Sequence, residues 1–184
     1  MTSFIQHIDQ ESDAALSLLS KSEIQFAYSA WCEVRAGSST LTVKTAFIQV
    51  SARRFISIET DWLFTSDLDG LHHHELVIRS VSRPGTIFYE PDRPPGGANF
   101  KADHTSLFLG AKRKVSKVDV LVAKEVGQDE TSEYDAGLVI TRDDGLQLAL
   151  VRTESIAGLM YLAHEYAEIK TLLESLTIRR TYLA

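Results

Sequence analysis

The sequence predicts an α+β fold, a mostly antiparallel sheet or half-open barrel with an N-terminal and a C-terminal helix. Three observations carry this. Apolar residues alternate in run after run, as in EIQFAYSAWCEV, where Ile24, Phe26, Tyr28, Ala30, Cys32 and Val34 take every second position. The spacing turns helical in DQESDAALSLLS and EYAEIKTLLESL, towards the two ends. Turn residues divide the alternating runs closely enough for hairpins: Gly37-Ser38-Ser39, Asp69-Gly70 and Asp144-Gly145.

Taken in order, residues 9–20 form a helix capped by Asp9 or Ser12, with Leu16 and Leu19 on one face. Strands follow in residues 23–34, in LTVKTAFIQV, in RRFISIETDWLF and in LHHHELVIRSVS, all rich in β-branched and aromatic residues. All four prolines fall in the next stretch, which reads as a Pro/Gly-rich loop at about 83–104 within a single domain, 1–184. VSKVDVLVAKEV alternates at Val118, Val120 and Val122. GLVITRDDGLQLALV reads as a hairpin about a two-residue Asp144-Gly145 turn, and GLMYLA as one more strand. The second helix carries a stripe of Leu162, Tyr166, Ile169, Leu173 and Leu176, and TIRRTYLA closes the chain as an edge strand.

A chain of 184 residues with 44% hydrophobic and 24% charged residues buries a core without staples. Its net charge of -6 and pI near 5.5 argue against a nucleic-acid or anionic-membrane binder. The one cysteine, Cys32, precludes an intramolecular disulfide and suits a reducing compartment. The N-terminus has no basic stretch leading an apolar run, and no segment is apolar over a membrane helix's length. A cytoplasmic location is expected.

The chemical motifs are sparse. SDLDGLHHHEL sets three histidines behind two aspartates. Zinc needs three or four converging ligands, and adjacent strand residues point to opposite faces. His72 and His74 therefore share a side, and a third ligand comes from Asp67, Asp69, Glu75 or His104. A metal-dependent enzyme on His72, His74 and His104 is the alternative this admits; the simpler reading makes the histidines a strand entrance. DLDG lacks the closing glutamate of a calcium loop. There is no G-x-S-x-G elbow, and Cys32 sits in the apolar phase of its strand as a buried thiol. His164 and Glu168 pair on a helix face, and PPGGANFK lacks the ending of a phosphate loop. The basic run AKRKVSK protects a strand edge.

EVGQDETSEYDAG has five acidic residues and no basic one, between two strands. It reads as an exposed loop. Either it keeps a β-protein solvated, or Asp129, Glu130, Glu133 and Asp135 dock a basic protein partner.

Residues 134–176 hold a YDAGL strand (Tyr134 to Leu138), the Asp144-Gly145 hairpin, a SIAG turn (Ser155 to Gly158) and the terminal helix. This last quarter resembles small uncharacterised bacterial proteins that include immunity proteins of polymorphic-toxin and contact-dependent inhibition systems. The resemblance implies a non-enzymatic binding protein that neutralises a cognate toxin by blocking its active site. It implies no catalytic residue and no cofactor. A structural or assembly protein working through strand edges is the remaining alternative, with the oligomeric state left open.

Overall fold

The chain opens on a strand that the residue pattern does not reveal, β1, Thr2–Gln6. The computed structural model describes residues 2–62, 74–85, 99–127, 130–153 and 157–184. Helix α1, Gln10–Ser20, starts where predicted. Asp9 is its N-cap and accepts from the Ser12 backbone N–H at 2.8 Å, while Glu11 and Asp13 suit the positive end of the helix. Ser12, Ala15, Leu16 and Leu19, at three-four spacing, form its buried face.

Strands β2 (Glu23–Arg35), β3 (Leu41–Val43), β4 (Thr45–Ser51), β5 (Arg54–Trp62) and β6 (His74–Val81) follow. Then come β7 (Asn99–Val126), β8 (Glu130–Arg142), β9 (Gln147–Arg152), β10 (Met160–Ala163), helix α2 (Tyr166–Leu173) and β11 (Thr177–Leu183). Pairing runs β11-β7-β8-β9-β10-β3-β2-β4-β5-β6, and β2 also pairs with β7. All described pairs are antiparallel except β1, which lies parallel to β8. The mostly antiparallel α+β expectation holds. Six strands, β2, β7, β8, β9, β10 and β3, close a ring of pairings, and β4, β5 and β6 extend from β2 as a wing. The result is neither a plain open sheet nor a regular barrel.

α1 packs against both β6 and β11, the two ends of this path. Ser12 Oγ accepts the Ile78 backbone N–H at 3.0 Å, and the Tyr182 hydroxyl donates to Asp13 at 2.5 Å. The main core draws on α1 and on every strand from β2 to β11. A second cluster, Leu121, Val139, Ala149, Val151 and Ala163, lies on the opposite face of β7–β10 under Ile169 of α2. Residues 138–140 and 148–151 are therefore buried on both faces, which is why they read as unbroken apolar runs.

Four expectations are corrected. The register of β2 on β7 slips between Ile24 and Phe26, near Gly110 at φ 80°, so Ile24 and Ala27 enter the core and Phe26 and Tyr28 do not. The Pro/Gly-rich loop is shorter at its end, because strand pairing resumes at Asn99 and continues past His104; residues 86–98 lie outside the described ones. The basic run is no edge: Lys114 pairs with Glu23 and Val115 with Arg142, at the point where β7 passes from β2 to β8. The hairpin loop has three residues, Asp143-Asp144-Gly145. Arg142 N–H bonds to Leu146 O, and Gly145 at φ 85° takes the left-handed closing position.

A break at Lys44 separates β3 from β4. Its ammonium donates to the carbonyls of Thr60 (3.3 Å), Ala157 (2.9 Å) and Gly158 (3.4 Å), tying β5 to the turn before β10. Gly158, the glycine of SIAG, sits at φ 64°, and a Cβ there would lie 2.9 Å from both Lys44 Nζ and Thr60 Oγ1. No described helix is long and apolar enough to cross a membrane.

Candidate functional site

α2 covers only part of the outer face of β7–β10. The uncovered part, at the far end of the β7–β8 pair, is a groove. Its floor owes its depth to two small residues, Ala123 on β7 and Ala136 on β8, on which Leu176 packs from the segment after α2. Tyr134, Arg152 and Tyr161 rise on the sheet side, and Thr171, Leu172 and Ser175 on the helix side. The groove is half open to solvent and holds about 520 Å³, within the range of small-ligand clefts. The Tyr134 hydroxyl donates to Glu125, and the Arg152 guanidinium lies 4.1 Å above the Tyr134 ring centre, in cation–π geometry. Tyr161 is 37% exposed.

The groove wall is fixed by Glu168. Its carboxylate accepts from Ser38 Oγ at 2.8 Å, from the Ser39 backbone N–H at 2.9 Å and from Ser39 Oγ, joining α2 to the β2–β3 turn. Glu168 therefore does not pair with His164, which lies beside Glu165 instead, Nε2 to Oε1 3.4 Å. Burial pushes the Glu168 carboxyl up, but the bonds from Ser39, Ser38 and Thr40 outweigh it and hold the group at about 2, below its ordinary 4.5. The helix stripe is corrected too: Ile169 is buried, Tyr166 is 75% exposed, and Leu172 packs inward in its place.

Because the folded group titrates lower than the unfolded one, its contribution is complete above pH 4.5 and disappears as pH falls towards 2. Glu168→Gln is expected to cost about 1–2 kcal/mol at pH 7, the lower range for charge-assisted bonds at a half-exposed site. Urea midpoints of variant and wild type converge near pH 2; a gap that persists there contradicts the assignment.

The acidic stretch is mostly strand, not loop. Glu125 is in β7, and Glu130 opens β8. Asp129 and the side chain of Glu130 lie outside the described residues. Glu133 is partly exposed, 2.7 Å from Lys124 Nζ, and this hydrogen bond is the main cause that lowers its pKa. Asp135 points inward. It is 3% exposed, takes Arg179 through Nε at 2.6 Å and Nη2 at 2.7 Å, and accepts the Ile8 backbone N–H at 2.8 Å. Its surface role as a docking carboxylate is corrected by this burial: it joins β8, β11 and the segment before α1.

Of the three histidines, His72 lies outside the described residues and His74 begins β6 opposite Trp62. His104 is on β7 at φ 51°, with Nδ1 2.6 Å from the Tyr28 hydroxyl. Strands β2, β4 and β5 come between the strands bearing His104 and His74. Among the described residues no three His, Cys, Asp or Glu side chains gather as metal ligands. Cys32 is fully buried, and burial pushes its thiol up.

Sequence reasoning missed Arg152 and Tyr161, which no spacing marks. The available signal was the pair of alanines at 123 and 136 inside otherwise bulky strands. No family model, no curated protein and no solved structure matches this chain.

Proposed function

We propose that the chain is a non-enzymatic bacterial binding protein of the immunity type, acting in the cytoplasm. It neutralises a cognate toxin by covering that toxin's active site. The observation that carries this reading is the groove beside α2. Tyr161, 37% exposed, and Arg152, residue types enriched at binding hot spots, meet there over an apolar floor to which the buried Tyr134 belongs. Glu125 lines the same groove and adds a carboxylate that suits a basic partner surface, while Glu133 at that strand end is held by Lys124. The resemblance of residues 134–176 to small uncharacterised bacterial proteins, immunity proteins among them, is in keeping with the same reading.

The test is co-expression with the product of the neighbouring reading frame. The wild-type chain is expected to rescue growth and to bind that product. Tyr161→Ala is expected to weaken binding about 30-fold, the scale of a central hot spot, with unchanged thermal unfolding. Glu133→Lys slows association. A folded wild-type chain that neither protects nor binds overturns the immunity reading, and a Tyr161→Ala chain that binds like wild type removes the groove from the interface.

A further inference from the structure

β1 is held differently from the other strands. Its five residues pair with β8 in the register Thr2↔Glu130 to Gln6↔Tyr134, and no described strand pairs with its other edge. Ser3 and Ile5, on its outer side, are exposed, Ile5 to 62%. The fixed point comes after the strand, at Ile8, whose N–H bonds to Asp135 and whose side chain packs on the main core.

The fit between β1 and its seat is imperfect where the charges are. His7 lies with Nε2 3.8 Å from Glu133 and Nδ1 3.6 Å from Asp135, beyond hydrogen-bond reach of either. Its Nδ1 is buried and has no hydrogen-bond partner among the described residues. Gln6 meets Glu75 through a neutral amide at 3.0 Å. Three carboxylates, Glu75, Glu133 and Asp135, thus face this end of β1, against two cations, Lys124 and Arg179.

The geometry points to β1 as a replaceable plug on a strand-accepting edge of β8. The occupant it gives way to is an extended partner segment in the same parallel register, with lysine or arginine in place of Gln6, the last residue of β1, and of His7 just after it. Backbone bonds to β8 supply affinity, a cation in place of Gln6 gives Glu75 a charged donor instead of an amide, and one in place of His7 closes the 3.8 Å gap that the imidazole leaves to Glu133. This rests on the reading that the chain acts by binding another polypeptide, and it adds where that polypeptide pairs.

The experiment uses the full chain and a labelled peptide with the sequence of residues 2–7 carrying Gln6→Lys and His7→Lys. The peptide is expected to bind saturably, and about tenfold more tightly than the unsubstituted peptide. Ser3 and Thr131 are direct partners in the register, so a Ser3→Cys/Thr131→Cys chain locks β1 in place when oxidised. The oxidised form loses peptide binding and reduction restores it. Hydrogen exchange gives a second readout: amides of residues 2–6 are expected to exchange by local opening, about 100-fold faster than those of Val118–Val122. The plug is overturned by a wild-type chain that binds no peptide, by equal binding to locked and reduced forms, or by equal protection of the two segments. Each of these outcomes leaves the Tyr161 test of the groove unaffected.

Discussion

Asp135→Ala is expected to destabilise the protein by about 3–5 kcal/mol, read as a fall in the urea midpoint at pH 7. The carboxylate is 3% exposed and carries three bonds from two distant parts of the chain, Arg179 twice and the Ile8 N–H once. Removing it leaves a guanidinium and a backbone donor without their partner. That unmatched desolvation, rather than the attraction lost, sets the size of the effect. The double variant Asp135→Ala/Arg179→Met recovers part of the loss, because the stranded charge goes as well. A single variant within about 1 kcal/mol of wild type would show that the pair is solvated and that β11 does not depend on it.

Gly137→Ala is expected to cost about 3 kcal/mol or more and to lower soluble yield sharply. A Cβ there would meet the Leu150 carbonyl oxygen inside contact distance and Val151 Cα at 2.9 Å. Both are backbone atoms of β9, so no side chain can move aside. Gly145→Ala is the control: it has nothing within 4 Å and a φ of 85°, so only the left-handed backbone is strained, at about 1–2 kcal/mol. Thermal melts of the two variants should differ in that order; equal losses would mean that β8 and β9 can separate cheaply at Gly137.

These two glycines, with Gly158, show what the sequence conveyed. YDAGL, the Asp-Gly hairpin and SIAG mark places where only glycine fits a close approach or a positive φ. Such marks specify backbone, and both helices and most strands, though not the first half of β7, were legible through them and through periodicity. β1 was not, because a strand of five residues is too short for its alternation, Phe4 and Gln6 half-buried and Ser3 and Ile5 exposed, to stand out in the sequence. The slip after Ile24 was hidden for another reason: a bulge changes which face a residue takes without changing its type. The acidic run misled because side-chain charge says nothing of direction. Glu133 and Asp135 sit two apart on one strand, yet one meets solvent and the other the interior. The groove was illegible because it depends on where α2 stops covering the sheet, set by Glu168 reaching Ser38 and Ser39 about 130 residues away.

The ring closed by β2 and β7 has a consequence during synthesis. Arg35 ends β2 and Asn99 begins its partner, so 63 residues are translated between them. At about 5–20 residues per second this takes roughly 3–13 s, during which β2 carries an unsatisfied hydrogen-bonding flank on the ribosome. The nascent chain is thus most open to chaperones, and to mispairing with its neighbours on a polysome, until the first half of β7 has been made.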